Sequence, residues 1–300
     1  MTVSLAFFYP KIGNDRKSYG PTHVSQILEK SLSKTLSFYY PYAGRLKDNG
    51  CSVDCNDMGV ELSHVRVHCP MSQIFRQPYT QAEHVVFPVY ANNEGSLALT
   101  QVSHFDCGGI AIGGRLSHKI GDSCTANNFF YNWGVLSRDI NATPPANTHF
   151  VGDSIYPQPN DLFVISTIKS GEQEGYIGKR FQFPADKVKA LKAKLAVDSR
   201  VQNPTRCEVL SALIYKCAVA TGRILNSGSF KPSSLLQVAD MRQRLNPPLS
   251  HDACENIISG YFVEINNVRD INCTKLVSEM RKGKLKLQDK ENATKTQSSQ

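Results

Sequence analysis

The sequence predicts an α/β fold in two domains, and three observations carry that prediction. Short β-branched or alternating runs take turns along the chain with segments whose apolar residues recur at helical spacing. With 300 residues and 41% hydrophobic content, the chain is long enough for one large domain or two ordinary ones and can build a substantial core. A proline-, asparagine- and glycine-rich stretch from Asn141 to Glu174 separates the patterned halves and is too long for an ordinary loop.

Taken in order, "SLAFFYP" predicts a strand that Pro10 ends. A helix opens at Pro21 and Thr22, with Thr22 as its N-cap and Val24, Ile27, Leu28, Leu32 and Leu36 on one stripe. "YPYAGRL" turns the chain, and "CSVDCNDMGVELSHVRVH" alternates as a hairpin about Asp57 to Gly59. "SLALTQVSHF" and "GGIAIGGRLSH" predict two strands joined near Gly108 and Gly109. After Asp122, Ala126, Phe129, Phe130, Trp133 and Leu136 form a helical stripe.

Beyond the connection, "GKRFQFPADKVKALKAKL" predicts a strand and then a helix. "TRCEVLSALIYKCAVATG" is an amphipathic helix closed by Gly222. "SSLLQVADMRQRLNPPL" is a strand leaving into a Pro-Pro loop, and "GYFVEINNV" is a further strand. The polar text after Lys282 offers little to bury and is expected to be disordered.

A formal charge of +8 favours a polyanionic partner. The basic residues are dispersed, and the one dense run, "MRKGKLKLQDK" at Met280–Lys290, reads as a solvated helix or tail rather than a nucleic-acid surface. Nine cysteines without framework spacing, after an opening "MTVSLAFF" that lacks a basic leader, fit a reducing cytosol. The Asn-x-Thr triplets at Asn141, Asn272 and Asn292 are then chance matches. No apolar run approaches the ~20 residues of a spanning helix, so a soluble protein is expected. Cys51, Cys55, His64 and His68 resemble a metal set, but eight residues separate the pairs where a zinc finger needs about twelve and a helix for the histidines.

The segment that invites chemistry is "LSHKIGDSC", Leu116 to Cys124. Ile110, Ile112, Leu116 and His118 share a strand parity, so a strand regular through Ser117 sends His118 to the apolar side. A histidine leaving a buried strand, with one nitrogen fixed and the other facing a cavity, suits a general base near neutral pH. Gly121 gives the turn room. Asp122 suits a structural role, as helix cap or as partner of a buried arginine, Arg242 or Arg244 of "DMRQR". Cys124 reads as a small core residue. No Gly-x-Ser-x-Gly elbow, Walker loop or dinucleotide fingerprint is present.

The segments "SLSKTLSFYYPYAGRL", "VDCNDMGV", "CGGIAIGGRLSHKIGD", "TRCEVLSALIYKCA" and "ADMRQRLNPPL", in that order over most of residues 3 to 270, resemble the BAHD family of plant CoA-dependent acyltransferases, most of all its alkaloid-acetylating members. The resemblance implies a two-domain, chloramphenicol-acetyltransferase-like architecture of mixed sheets flanked by helices, with a channel between the domains. It implies an N-terminal domain over 1–150 with the His-x3-Asp motif, a crossover loop over 151–176, a partial C-terminal domain over 177–282 and a polar tail over 283–300. It assigns His118 as the base that takes a proton from an acceptor hydroxyl attacking the acyl-CoA thioester, without a covalent acyl-enzyme. Gly121, Asp122 and Arg242 would support the site, Arg242 as the partner of Asp122.

The resemblance further implies acyl-CoA, acetyl-CoA in the first instance, as co-substrate, no permanently bound cofactor or metal, and a small-molecule alcohol as acceptor. It implies a cytoplasmic monomer without nucleic-acid or membrane partners. The family's Asp-Phe-Gly-Trp-Gly motif and Leu-Ser-x-Leu-Asp opening are absent, so truncation at both ends and an incomplete second sheet are expected. The alternative is a non-catalytic relative that binds a ligand or partner. Glu255 stands before Asn256 where relatives commonly have glycine, which predicts an altered loop.

Overall fold

The computed structural model describes residues 2–11, 21–48, 50–76, 84–89, 95–143, 148–155, 178–199 and 201–297. Most of the expected crossover, residues 156–176, lies outside them. The chain divides into two compact units, Met1–Arg180 with His251–Ile257, and Phe181–Ser250 with Ile258–Gln300. The sequence boundaries put 251–257 in the second domain; the structure groups it with the first. Among the described residues no helix is long and apolar enough to cross a membrane.

The first unit carries β1 (Thr2–Tyr9), α1 (Pro21–Phe38), β2 (Arg45–Leu46), β3 (Val53–Asp54), β4 (Glu61–Val67), α2 (Met71–Arg76), β5 (Ala98–Phe105), β6 (Ile110–Ser117), α3 (Ser123–Arg138), β7 (His149–Phe150) and α4 (Gly152–Ile155). Its main sheet has the order β1-β6-β5-β4, antiparallel except for the parallel β4–β5 pair. Alternate residues of β5 and β6 face opposite layers. Val102, Ile112 and Leu116 join Leu28, Leu32, Phe129 and Trp133 of α1 and α3, while Phe105 and Ala111 meet Met71, Ile74 and Val86. The Trp133 indole N–H donates to the Leu28 carbonyl at 3.1 Å, which ties α3 to α1.

The glycine pair inside β6 has a steric reason. A Cβ on Gly113 would lie 1.9 Å from the Val86 carbonyl oxygen, and one on Gly114 would lie 2.4 Å from the Phe130 ring. Both neighbours approach the sheet more closely than a side chain permits.

Three local expectations differ from the structure. α1 begins at Pro21, so Thr22 lies within its first turn instead of capping it. The expected hairpin about Asp57–Gly59 does not form. β3 pairs with β2, and β4 pairs with β5. The turn chemistry itself is present, since Asp57 (φ 55°) and Gly59 (φ 77°) take left-handed conformations. It returns the chain to Ala43 and Arg45, through Gly59 N–H to the Ala43 carbonyl and Arg45 Nη1 to the Gly59 carbonyl. Residues 181–184 form no strand before the next helix.

The second unit comprises α5 (Ala185–Ser199), α6 (Arg206–Leu225) and β8 (Ser233–Asp240); the chain then returns to the first unit as β9 (Ala253–Cys254), and β10 (Ile258–Ile265) and α7 (Cys273–Gln297) complete the second. β8 and β10 form an antiparallel ladder, a mixed α/β layer whose core joins Val209, Ala212, Val263, Ile265, Leu276, Val277 and Met280. Phe262, opposite Leu236 in the register, and Val238 remain exposed on the ladder. α6 opens with a capping box, Thr205 with Glu208, and runs past Gly222 to Leu225. Contrary to the expected disorder after Lys282, α7 continues to Gln297. Leu287, seven residues after Met280, is still buried and extends the stripe that the lysine-rich composition obscures.

Candidate active site

β6 is regular through Ser117, and His118 is the first residue of the turn that follows. His118 is half-buried. The Ile120 N–H closes the turn on the Ser117 carbonyl at 3.1 Å. Asn256 Nδ2 donates to the His118 carbonyl at 2.7 Å, so the main chain of this histidine is held from a segment 138 residues away in sequence.

Asp122 ends the turn as the N-cap of α3. Its Oδ1 accepts from the Thr125 N–H at 3.0 Å and from Thr125 Oγ1 at 3.2 Å. Its Oδ2 accepts from the Ile257 N–H at 3.1 Å. Its own N–H donates to the Glu255 carbonyl at 3.3 Å. The carboxylate is therefore committed to holding α3 and the 251–257 segment together. Gly121 is the close-approach position between them: a Cβ there would lie 2.6 Å from Thr125 Cγ2 and 3.0 Å from Tyr42 Oη.

Arg242 is fully buried in the second unit, in the turn after β8. Its Nη1 and its backbone N–H both reach Asp240 Oδ1 at 3.0 Å. Cys124 lies in the first turn of α3, its thiol 3.7 Å from the His251 carbonyl. The Cys51 to His68 set has other engagements: His64 stacks on His104 with ring centres 5.8 Å apart, and His68 lies 3.9 Å from Asp106. Among the described residues no group of three or more His, Cys, Asp or Glu side chains is placed to hold a metal ion.

Sequence reasoning missed the segment that completes the corner. β9 pairs in parallel with β7, and Glu255 and Asn256 follow it. Glu255 adopts φ 93°, a conformation that favours glycine, which accounts physically for the glycine expected at this place. Its carboxylate accepts from the Gly152 N–H. Glu255 also exchanges backbone bonds with Thr125 Oγ1, donating through its N–H and accepting at its carbonyl, each at 3.1 Å. Tyr42 Oη is buried beside Gly121 with no hydrogen-bond partner among the described residues. Burial pushes its phenol well above the usual range, with Cys254 and Asp122 adding to the effect. A cavity of about 400 Å³ opens beside this corner, lined by Tyr40, Phe150, Lys119, Glu255 and Asn256 among others.

With this corner described, comparison with known proteins gives the family. The model of the Transferase family matches residues 1–300. The chain is 42% identical over 293 residues to acyltransferase Pun1 of Capsicum frutescens, covering 94% of this chain and 65% of that protein. This chain belongs to the BAHD acyltransferase family. Its fold is that of the crystal structure of vinorine synthase, with a TM-score of 0.76 at 29% identity over 94% of this chain and 67% of that one. The same fold recurs in TRI101 of F. sporotrichioides, complexed with coenzyme A and T-2, with a TM-score of 0.72 at 16% identity over 97% of this chain and 72% of that one. The chain thus spans about two-thirds of the length of the BAHD relatives it matches.

Proposed function

We propose that the protein is an acyl-CoA-dependent O-acyltransferase that moves an acyl group, acetyl in the first instance, to a hydroxyl of a plant specialised metabolite. His118 is the general base. It takes the proton of the acceptor hydroxyl as that oxygen attacks the thioester carbonyl, and the tetrahedral intermediate collapses by expelling the CoA sulfur, which receives the proton. Acyl transfer is thus direct, with no covalent acyl-enzyme. Such proton transfer contributes about 10² to 10⁴ in rate, and donors aimed at the developing oxyanion supply much of the remainder.

The observation that carries this reading is the division of labour at the corner. Asp122 is occupied by three structural hydrogen bonds, whereas His118 leaves β6 half-buried with its backbone anchored. The name of Pun1, an acyltransferase, supports the reaction class. Coenzyme A in the TRI101 complex supports the donor. Arg242 belongs to the proposal as a supporting residue, and reduced turnover in a correctly folded Arg242→Ala variant is its check. The protein works in this account as a cytoplasmic monomer with no permanently bound cofactor.

A second reading, a family member that binds a ligand or partner without turnover, draws on the exposed Leu236, Val238 and Phe262 of β8 and β10. Turnover separates the two. Release of free CoA thiol from acetyl-CoA, dependent on an alcohol acceptor and lost in His118→Ala, supports the first; acceptor-dependent release at an unchanged rate in His118→Ala removes His118 from the mechanism.

A further inference from the structure

Asn256 touches the candidate base, and neither the helix cap nor the turn accounts for its presence. β1 and β5 hold the backbone of β6 up to Ser117 and Leu116. His118 lies beyond that ladder, and Asn256 Nδ2 takes over by donating to its carbonyl at 2.7 Å. The segment that carries Asn256 is itself fixed on both sides. Before it, the Glu255 carbonyl accepts from the Asp122 N–H and from Thr125 Oγ1, and the Glu255 N–H donates to Thr125 Oγ1. After it, the Ile257 N–H donates to Asp122 Oδ2. Both His118 and Asn256 lie in the first unit.

The chemistry of the amide sharpens this. A backbone carbonyl only accepts, so the nitrogen of Asn256 must face His118 and the oxygen must point away. That Oδ1 is buried and has no hydrogen-bond partner among the described residues. A buried amide satisfied at one end and orphaned at the other is a poor device for stability alone. The one bond it makes ends on the main chain of the residue proposed to move the proton.

We infer that Asn256 is a positioning residue for His118: its amide fixes the turn after β6 and thereby the orientation of the imidazole toward the reacting hydroxyl. The inference rests on the acyl-transfer reading above. It assigns Asn256 no contact with substrate.

The test is a double-mutant cycle read by turnover and by hydrogen exchange on the 300-residue protein. Asn256→Ala is expected to lower kcat by about 10- to 100-fold, the scale of a small misplacement of a catalytic group, with the KM for acetyl-CoA changed by less than about threefold. In a His118→Ala background the same substitution is expected to cost less than about twofold, because the group through which it acts is gone. Hydrogen exchange reads the restraint without turnover: the Ile120 amide is expected to exchange about fivefold faster or more in Asn256→Ala, with the amides of α1 unchanged. An equal cost of Asn256→Ala in the presence and absence of His118, or unchanged exchange at Ile120, overturns the positioning role. Full turnover in His118→Ala instead overturns the acyl-transfer reading, and the exchange result then decides whether Asn256 restrains the turn.

Discussion

Replacing Asp122 by alanine tests whether the corner is built as described. Asp122 is 3% exposed, and its carboxylate accepts from the Thr125 N–H, Thr125 Oγ1 and the Ile257 N–H. Loss of the N-cap acceptor costs about 1 kcal/mol. Ile257 has no exposed surface, and its N–H is shared between Asp122 Oδ2 and the Glu255 carbonyl, each at 3.1 Å, so the variant loses one charge-assisted bond there, worth about 1.5–3 kcal/mol. The sum, roughly 2.5–4 kcal/mol, is a large part of the 5–15 kcal/mol that a typical domain has in hand. Asp122→Asn keeps one carbonyl oxygen for the cap but turns its NH₂ toward the Ile257 N–H, and is expected to fall between, at roughly 1–3 kcal/mol. Urea unfolding followed by fluorescence is the assay, because the single tryptophan, Trp133, sits in α3 within the core of the first unit. A loss below about 1 kcal/mol for the alanine variant, outside the range expected for these bonds, would refute the reasoning.

Two further predictions concern the other strained or charged positions. Glu255→Ala and Glu255→Gly both remove the carboxylate from the Gly152 N–H, but only alanine keeps a Cβ at φ 93°; the glycine variant is expected to be more stable than the alanine variant by about 1–2 kcal/mol in the same fluorescence assay, and equal stabilities would contradict the assigned backbone. In the second unit, burial pushes the Glu208 carboxyl up, but the hydrogen bonds from Arg281 (2.8 and 2.9 Å) and Thr205 outweigh it and hold the group at about 2. Because the folded value lies below the unfolded value near 4.5, its stabilisation is complete above that pH and fades as pH falls toward about 2. Glu208→Gln should flatten this part of the acid dependence in circular-dichroism unfolding curves, and an unchanged slope would show that the pair contributes nothing there.

Local pattern made much of the fold legible, and contact over long sequence separations made the rest illegible. The β5–β6 pair could be read from alternation around Gly108 and Gly109, and α3 from the Phe129–Trp133 stripe after an aspartate cap, because each signal is complete within one short continuous stretch. The alternation of β4 showed a strand but not its partner, since period 2 says nothing about which edge receives it. In α7 composition hid the buried face: the lysines that suggest a solvated helix or tail flank an apolar stripe reaching Leu287.

At the candidate site, the His118–Asp122 turn could be read because strand end, glycine and cap lie within the six positions from Ser117 to Asp122. The contribution of "ENI", Glu255 to Ile257, could not. Its hydrogen bonds reach across 130 to 138 residues, and nothing in its own text marks it as part of the first unit. The one trace was Glu255 itself, a residue with a side chain where the backbone favours glycine.

The most direct measurement of the central claim is acceptor-dependent release of CoA thiol from acetyl-CoA by the protein and by His118→Ala, with the fold of each checked by Trp133 fluorescence. The account predicts a correctly folded variant whose kcat falls by about 10² to 10⁴, the worth of a positioned general base. A folded His118→Ala protein that transfers acetyl groups as fast as the parent would contradict it.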